Sequence, residues 1–261
     1  MRRIGSAFAL LLCLLSGFGY SLAQTGHSDQ FERDFAQANQ LYLHGDYPTA
    51  TQIYERLRVQ APHSAVVFYN LANAYAQNEE VGPAVLYYRR ALLLAPRDRD
   101  IISNLEHIER QLAYQPSPDI DNWIAVMLGG LRERVTINEL AVINAALYWL
   151  AIGMAIWFLH NRRRLLSFLL AISLLLCCIS TMFSYSKWQR DYAGDRAIVL
   201  SDGQMYSGPG EHFEPLMRLG AGTEVKMLQP QGRYREIQTS AGGRGWLSGE
   251  QVQLISPFID D

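Results

Sequence analysis

The residues of this chain best suited to metal or nucleophilic chemistry are its six histidines and three cysteines, and their spacing builds no site. His27, His44, His63, His107, His160 and His212 stand far apart, without the close pairs that a zinc ligand set or a helical His-Glu-x-x-His motif requires. Cys13, Cys177 and Cys178 all lie in apolar runs, where adjacent cysteines read as small packing residues. No glycine-rich phosphate loop with a lysine occurs. What the sequence does space regularly is hydrogen-bonding and aromatic side chains. Asn39, Asn73 and His107 recur at intervals of 34, as do Phe35, Tyr69 and Ser103, and Tyr42, Ala76 and Arg110. Amides and rings repeated along one face can hydrogen-bond an extended peptide and pack its side chains. Phe35, Asn39, Tyr42, Tyr69, Asn73 and His107 are therefore the expected lining of a protein-binding groove. No catalysis, cofactor or metal is expected.

The same interval runs through the apolar positions. Ala38 matches Ala72, Leu41 matches Tyr75, Ala50 matches Ala84, Tyr54 matches Tyr88, Leu57 matches Ala91 and Pro62 matches Pro96, without a gap. Small residues where two helices touch, with a proline closing each unit, make this the tetratricopeptide signature. Two helical hairpins are expected, at 31–64 and 65–98, followed by a capping helix at 99–114, together forming a domain over 30–114. Gly45-Asp46 makes the first tight turn, and Pro48 and Pro83 sit in first helical turns, where proline is tolerated. The array departs from the carboxylate-clamp variety of this repeat: Phe35, Asp100 and Asn104 stand where that variety carries basic residues.

The rest of the chain divides by composition. Arg2 and Arg3, the apolar run Ala7 to Leu15 and the small residues of Ser21-Leu22-Ala23 read as a signal peptide over 1–23. Two uncharged stretches, Leu140 to Leu159 and Leu165 to Ser186, follow the repeats, with transmembrane helices expected at 137–159 and 165–186. Each has the roughly 20 residues that cross a hydrocarbon core. The 160–164 loop between them holds Arg162, Arg163 and Arg164, marking the cytoplasmic side and placing both soluble parts outside. Segment 115–136 starts as a proline-stiffened linker. Its Trp123 to Leu128 run is either a helix lying in the membrane interface or a further packing segment. A net charge of −2 argues against nucleic-acid binding by bulk electrostatics.

From Arg196 to Ile255 short β-type runs alternate with glycine turns, as in a small all-β barrel of five or six strands. Ser207-Gly208-Pro209-Gly210, then Leu219, Gly222 and Val225, then Gly245-Trp246-Leu247 resemble the bacterial SH3-like domain, over 196–255. Trp246 is expected to point into the barrel core, and Tyr206 and Phe213 to offer exposed contacts. The fold class expected is thus a multidomain membrane protein: all-α tetratricopeptide hairpins, a two-helix transmembrane hairpin and an SH3-like barrel.

This order of parts resembles the BatE-type aerotolerance proteins of bacteria. The resemblance is carried by Tyr69 to Tyr75, Tyr87 to Leu92, Pro96-Arg97-Asp98, Asn104-Leu105-Glu106 and Asn138-Glu139, with Ala72 in place of a glycine and Tyr206 in place of a basic residue. It implies a scaffold in the bacterial inner membrane, with its soluble parts periplasmic. The implied partners are von Willebrand factor A-type membrane proteins and a MoxR-type AAA+ ATPase. The alternative expectation is a tether whose SH3-like domain holds peptidoglycan.

Overall fold

The computed structural model of the protein describes residues 29–112, 135–161, 164–191 and 194–256. The expected signal peptide, nearly all of the 115–136 segment and two of the three loop arginines lie outside the described residues.

Among the described residues the chain begins with five helices: α1 (Asp29–Leu43), α2 (Tyr47–Gln60), α3 (Ala65–Gln77), α4 (Val81–Leu94) and α5 (Arg99–Gln111). Each boundary has a local cause. Asp46 caps α2 by accepting from the Thr49 amide, with Pro48 in the first turn. Ser64 caps α3 through the Val67 amide, and Asp98 caps α5 through the Asp100 and Ile101 amides. The 34-residue interval predicts the burial. Ala38, Ala50, Ala72 and Ala84 are fully buried, and Tyr54, Tyr88, Leu57 and Ala91 fill the space around them.

The two tight turns solve one problem with different residues. Gly45 and Glu79, 34 apart, both adopt positive φ, at 83° and 63°. Glycine reaches that region freely, whereas a residue with a Cβ pays about 1 kcal/mol there. Glu79→Gly is expected to raise the stability of the helical array by about 0.5–1 kcal/mol. Thermal melts of the two full-length proteins check this, and a lower melting temperature for the glycine variant would refute it.

Helices α6 (Ile137–His160) and α7 (Arg164–Asp191) pack as an antiparallel pair, and each is long and apolar enough to cross a membrane. The connection between them is shorter than the expected 160–164, because His160 ends α6 and Arg164 begins α7. Thr136 and Glu139 close a reciprocal capping box at the start of α6. Asn144 donates to Ser184 at 2.8 Å and Tyr148 meets Thr181 at 2.7 Å across the pair.

The remaining chain forms an antiparallel sheet from β1 (Arg196–Val199), β2 (Gly203–Tyr206), β3 (Pro215–Leu219), β4 (Glu224–Gln231), β5 (Tyr234–Thr239), β6 (Arg244–Ser248) and β7 (Val252–Leu254). Its order is β3-β2-β6-β5-β4-β1-β7, so the sheet is open, with β3 and β7 as its edges. Among the described residues seven strands thus stand where five or six were expected, and they form an open sheet where a closed barrel was expected. Register shifts after Met205 and Met227 bend the sheet around a core of Val199, Met205, Ile237 and Leu247.

The sheet lies directly on the helices. Strand β1 is buried on both faces: Ala197 and Val199 join the sheet core, while Ile198 joins the helical core together with Ile255. Gly82 of α4 meets the Leu200 backbone so closely that a Cβ there would stand 2.0 Å from the Leu200 carbonyl oxygen. Gly222, at φ 83°, is set against Leu112 and Val85, where an added Cβ would stand 3.0 and 3.4 Å from their methyl carbons. The buried Arg90 guanidinium donates to the carbonyls of Leu254 at 2.9 Å and Ile255 at 3.2 Å. Arg89 bridges Glu109 of α5 and Glu224 of β4, and Arg196 pairs with Glu224 in turn.

Candidate functional site

The groove residues read from the sequence fall into two hydrogen-bonded nodes related by the repeat. In the first, Asn39 Oδ1 accepts from the Tyr54 hydroxyl at 2.6 Å and from Asn70 Nδ2 at 3.1 Å. In the second, Asn73 Oδ1 accepts from the Tyr88 hydroxyl and from Asn104 Nδ2, the latter at 3.0 Å. Asn104 also donates to the Tyr69 hydroxyl at 3.2 Å. Each node ties a first helix to its own hairpin partner and to the next hairpin. The carboxamide oxygens of Asn39 and Asn73 are therefore committed to holding the array together, and both residues are half-buried.

The aromatic members pack around the nodes. Phe35 stacks on Phe31 and sets its ring edgewise to Tyr54, with both centroid distances 6.2 Å. Tyr42 packs on Tyr47 at 5.3 Å, and Tyr69 on Tyr88 at 6.1 Å. His107 stays exposed, its ring 3.2 Å from the Gln111 side chain. Phe35, Asn39, Tyr42, Tyr69 and Asn73 thus adjoin one continuous polar and aromatic seam, with His107 further along the same helix phase.

Two further parts of the network lie outside the expected groove residues, and the first of them carries a signal in the sequence. Asn70 and Asn104 are themselves 34 apart, so a search for repeated amides at all phases finds them. Glu55 holds the second cluster. Its carboxylate accepts from the hydroxyls of Tyr75 at 2.8 Å and Tyr87 at 2.9 Å and pairs with Arg58. Tyr75 and Tyr87 stack in parallel at 5.6 Å, and Arg58 and Arg90 both lie over the Tyr87 ring.

These hydroxyls resist ionisation. Burial, aided by the neighbouring Tyr42, pushes the Tyr54 phenol up to about 12. Burial and then the Glu55 charge raise Tyr75 and Tyr87, and burial raises Tyr88. A folded-state pKa above the unfolded value of about 10 keeps the neutral phenol in the fold, while the unfolded chain ionises freely. The tyrosines therefore cost no stability below pH 10. Above it, stability is expected to fall as pH rises toward the folded-state values. Absorbance of phenolate against pH, followed beside circular dichroism, checks this. Ionisation of every phenol near pH 10 with no loss of helix would contradict it.

In the sheet, Tyr206 and Trp246 stand directly opposite each other on neighbouring strands, and Glu236 lies opposite Trp246 on the other side. The expectation that Trp246 points into the core is corrected. Strand β6 alternates so that Gly245 and Leu247 are buried, which leaves Trp246 half-exposed on the outer face beside Tyr206. A one-residue shift in register exchanges the two faces of a strand, and here Leu247 takes the core position. Phe213 is 39% exposed, its ring 4.2 Å from that of His212 and laid over Gly208.

Among the described residues no group of histidine, cysteine or acidic side chains is arranged to hold a metal ion. No protein-family model matches the chain, and no curated protein matches it.

Proposed function

We propose that this chain is a non-catalytic, membrane-anchored scaffold that docks partner proteins through tetratricopeptide hairpins and an SH3-like module. The observation that carries the reading is the exact repetition of the Asn–Tyr–Asn node: Asn39, Tyr54 and Asn70 recur as Asn73, Tyr88 and Asn104. A network repeated at the same phase holds successive first helices in one register, and a regular array of helix faces is what an extended peptide segment needs. Outward-facing Leu150, Trp157, Leu175 and Ile179 suit α6 and α7 to lipid, as a two-helix anchor with both soluble parts on the extracytoplasmic side of a bacterial inner membrane. The partners proposed are von Willebrand factor A-type membrane proteins working with a MoxR-type ATPase, in an aerotolerance or stress system.

The test is mass spectrometry of proteins that co-purify with the detergent-solubilised chain. Asn39 and Asn73 are poor controls because their loss weakens the array itself. Tyr42→Ala with His107→Ala alters the seam and leaves both nodes standing, and matched melting curves verify that. Recovery of a von Willebrand factor A-type membrane protein by the parent chain, lost in this variant, supports the scaffold. Identical recovery from both overturns groove docking.

A second reading rests on the outward Trp246. Its ring beside Tyr206 offers a flat aromatic surface of the kind that stacks on sugars, which favours a tether to peptidoglycan. Pelleting of the full chain with purified sacculi, lost on Tyr206→Ala with Trp246→Ala, would support it.

A further inference from the structure

The direction of the chain at both ends of the helical pair identifies which side of the soluble body meets the bilayer. This inference rests on the reading that α6 and α7 span a membrane. The turns from α2 to α3 and from α4 to α5 lie on one edge of the array, since they join equivalent helix ends 34 residues apart. Arg97, in the second of these turns, forms an ion pair with Glu139 in the first turn of α6. The α6 end of the pair is thereby tied to that edge.

The α7 end arrives at the same edge independently. Residues 192–195 join α7 to β1. Strand β1 then runs back along α4, from Arg196 near Arg89 and Arg90 to Leu200 at Gly82. Eight helical residues and four strand residues both span about 12–13 Å, so the two segments match in length. Arg196 consequently sits at the end of α4 that leads into the Arg97 turn. The β4–β5 hairpin extends past Arg196 toward the same side, because Arg196 pairs with Lys226 and β4 continues to Gln231.

Among the described residues this edge leaves two apolar side chains exposed, as the opposite edge leaves Leu43, so the Arg97–Glu139 tie and the entry of β1 are what select it. Val59, at the end of α2, is 72% exposed, and Val66, at the start of α3, is 58% exposed. They flank Pro62 and His63 in the first of the two turns. We infer that this turn edge of the array rests in the interfacial zone of the bilayer, with Val59 and Val66 entering the headgroup layer. Two valines on a surface already held there by α6 and α7 need contribute little affinity of their own. The array then stands edge-on to the membrane, and its seam of amides and rings opens parallel to the bilayer plane. A partner segment would reach it from the side, close to the membrane surface.

Environment-sensitive fluorophores on single cysteines test this in the full chain, reconstituted in nanodiscs, with Cys13, Cys177 and Cys178 replaced by alanine. Labels go at Val59→Cys and Val66→Cys, at Gln77→Cys on the opposite edge, and at Ile152→Cys in α6. Lipids carrying a nitroxide near the headgroup serve as quencher. The expected result is a blue shift and several-fold stronger quenching at 59 and 66 than at 77. Quenching at 59 and 66 no greater than at 77, with label 152 shielded from water, overturns the edge-on placement and leaves the membrane reading standing. A water-exposed label at 152 overturns both. Arg97→Glu, which sets like charges at the tie to Glu139, is expected to reduce quenching at 59 and 66 while 152 stays shielded. Unchanged quenching in that variant would overturn the role of the tie.

Discussion

Gly82→Ala is expected to loosen the sheet from the helices and to raise amide exchange in β7 and along α4 by tenfold or more. The direction is the reverse of what local structure predicts. Glycine inside a helix costs about 1 kcal/mol relative to alanine, so the substitution should strengthen α4 taken alone. The new methyl, however, would stand 2.0 Å from the Leu200 carbonyl oxygen, and backbone has little freedom to retreat. Relief requires β1 to move off α4, which uncovers Ile198 and Ile255 from the helical core. Overpacking of this kind costs about 1–3 kcal/mol, and tenfold in an opening equilibrium corresponds to about 1.4 kcal/mol. Hydrogen exchange with mass spectrometry on the full chain measures it segment by segment. Protection in β7 equal to that of the parent chain would mean that α4 and β1 do not pack as described.

Arg90→Met should have an effect at least as large. Arg90 is 5% exposed, and its guanidinium donates to the carbonyls of Leu254, the last residue of edge strand β7, and of Ile255 just after it, and lies over the Tyr87 ring. Methionine retains much of the apolar stem but leaves both acceptors without this donor. Losing hydrogen bonds from a charged group and leaving buried acceptors unmet costs about 2–4 kcal/mol. Chemical denaturation followed by tryptophan fluorescence, with Trp123, Trp149, Trp157 and Trp188 replaced by phenylalanine so that Trp246 reports the sheet, should show the midpoint shifted down. Because Gly82 and Arg90 serve one interface, the double variant should cost less than the sum of the single variants. Strict additivity would indicate that the two residues act on separate structures.

Much of the helical part is legible in the sequence alone. The interval of 34 announces helical hairpins at 31–64 and 65–98, and the helix pairs run over 29–60 and 65–94; the alanines at repeated positions mark the helix contacts, because only small side chains permit that approach. The apolar stretches likewise announced α6 and α7 through length and absence of charge. The site was only half legible. Repetition placed Asn39 and Asn73 on one seam, but a periodic amide looks the same whether it awaits a ligand or binds its own neighbours. The Tyr54 and Tyr88 hydroxyls decide between those roles, and they come from another helix. Trp246 was misread for a related reason. Phase within a short strand depends on one residue of register, and its neighbour Leu247 had an equal claim to the core.

What the chain alone determined, then, is everything governed by near neighbours and by period: where helices start and stop, which of their faces are buried, and where short strands turn. The tertiary structure decided that the sheet docks on α4 and that Arg90 and Gly82 hold it there. It also decided that both ends of the helical pair meet one edge of the array. A trace of this was present in Ala197-Ile198-Val199-Leu200, since an uninterrupted apolar run suits a strand buried on both faces. The run could not say what would cover the second face. That contact joins residues more than a hundred positions apart, and the free energy of burying Ile198 depends on a surface made only once α4 and α5 have packed.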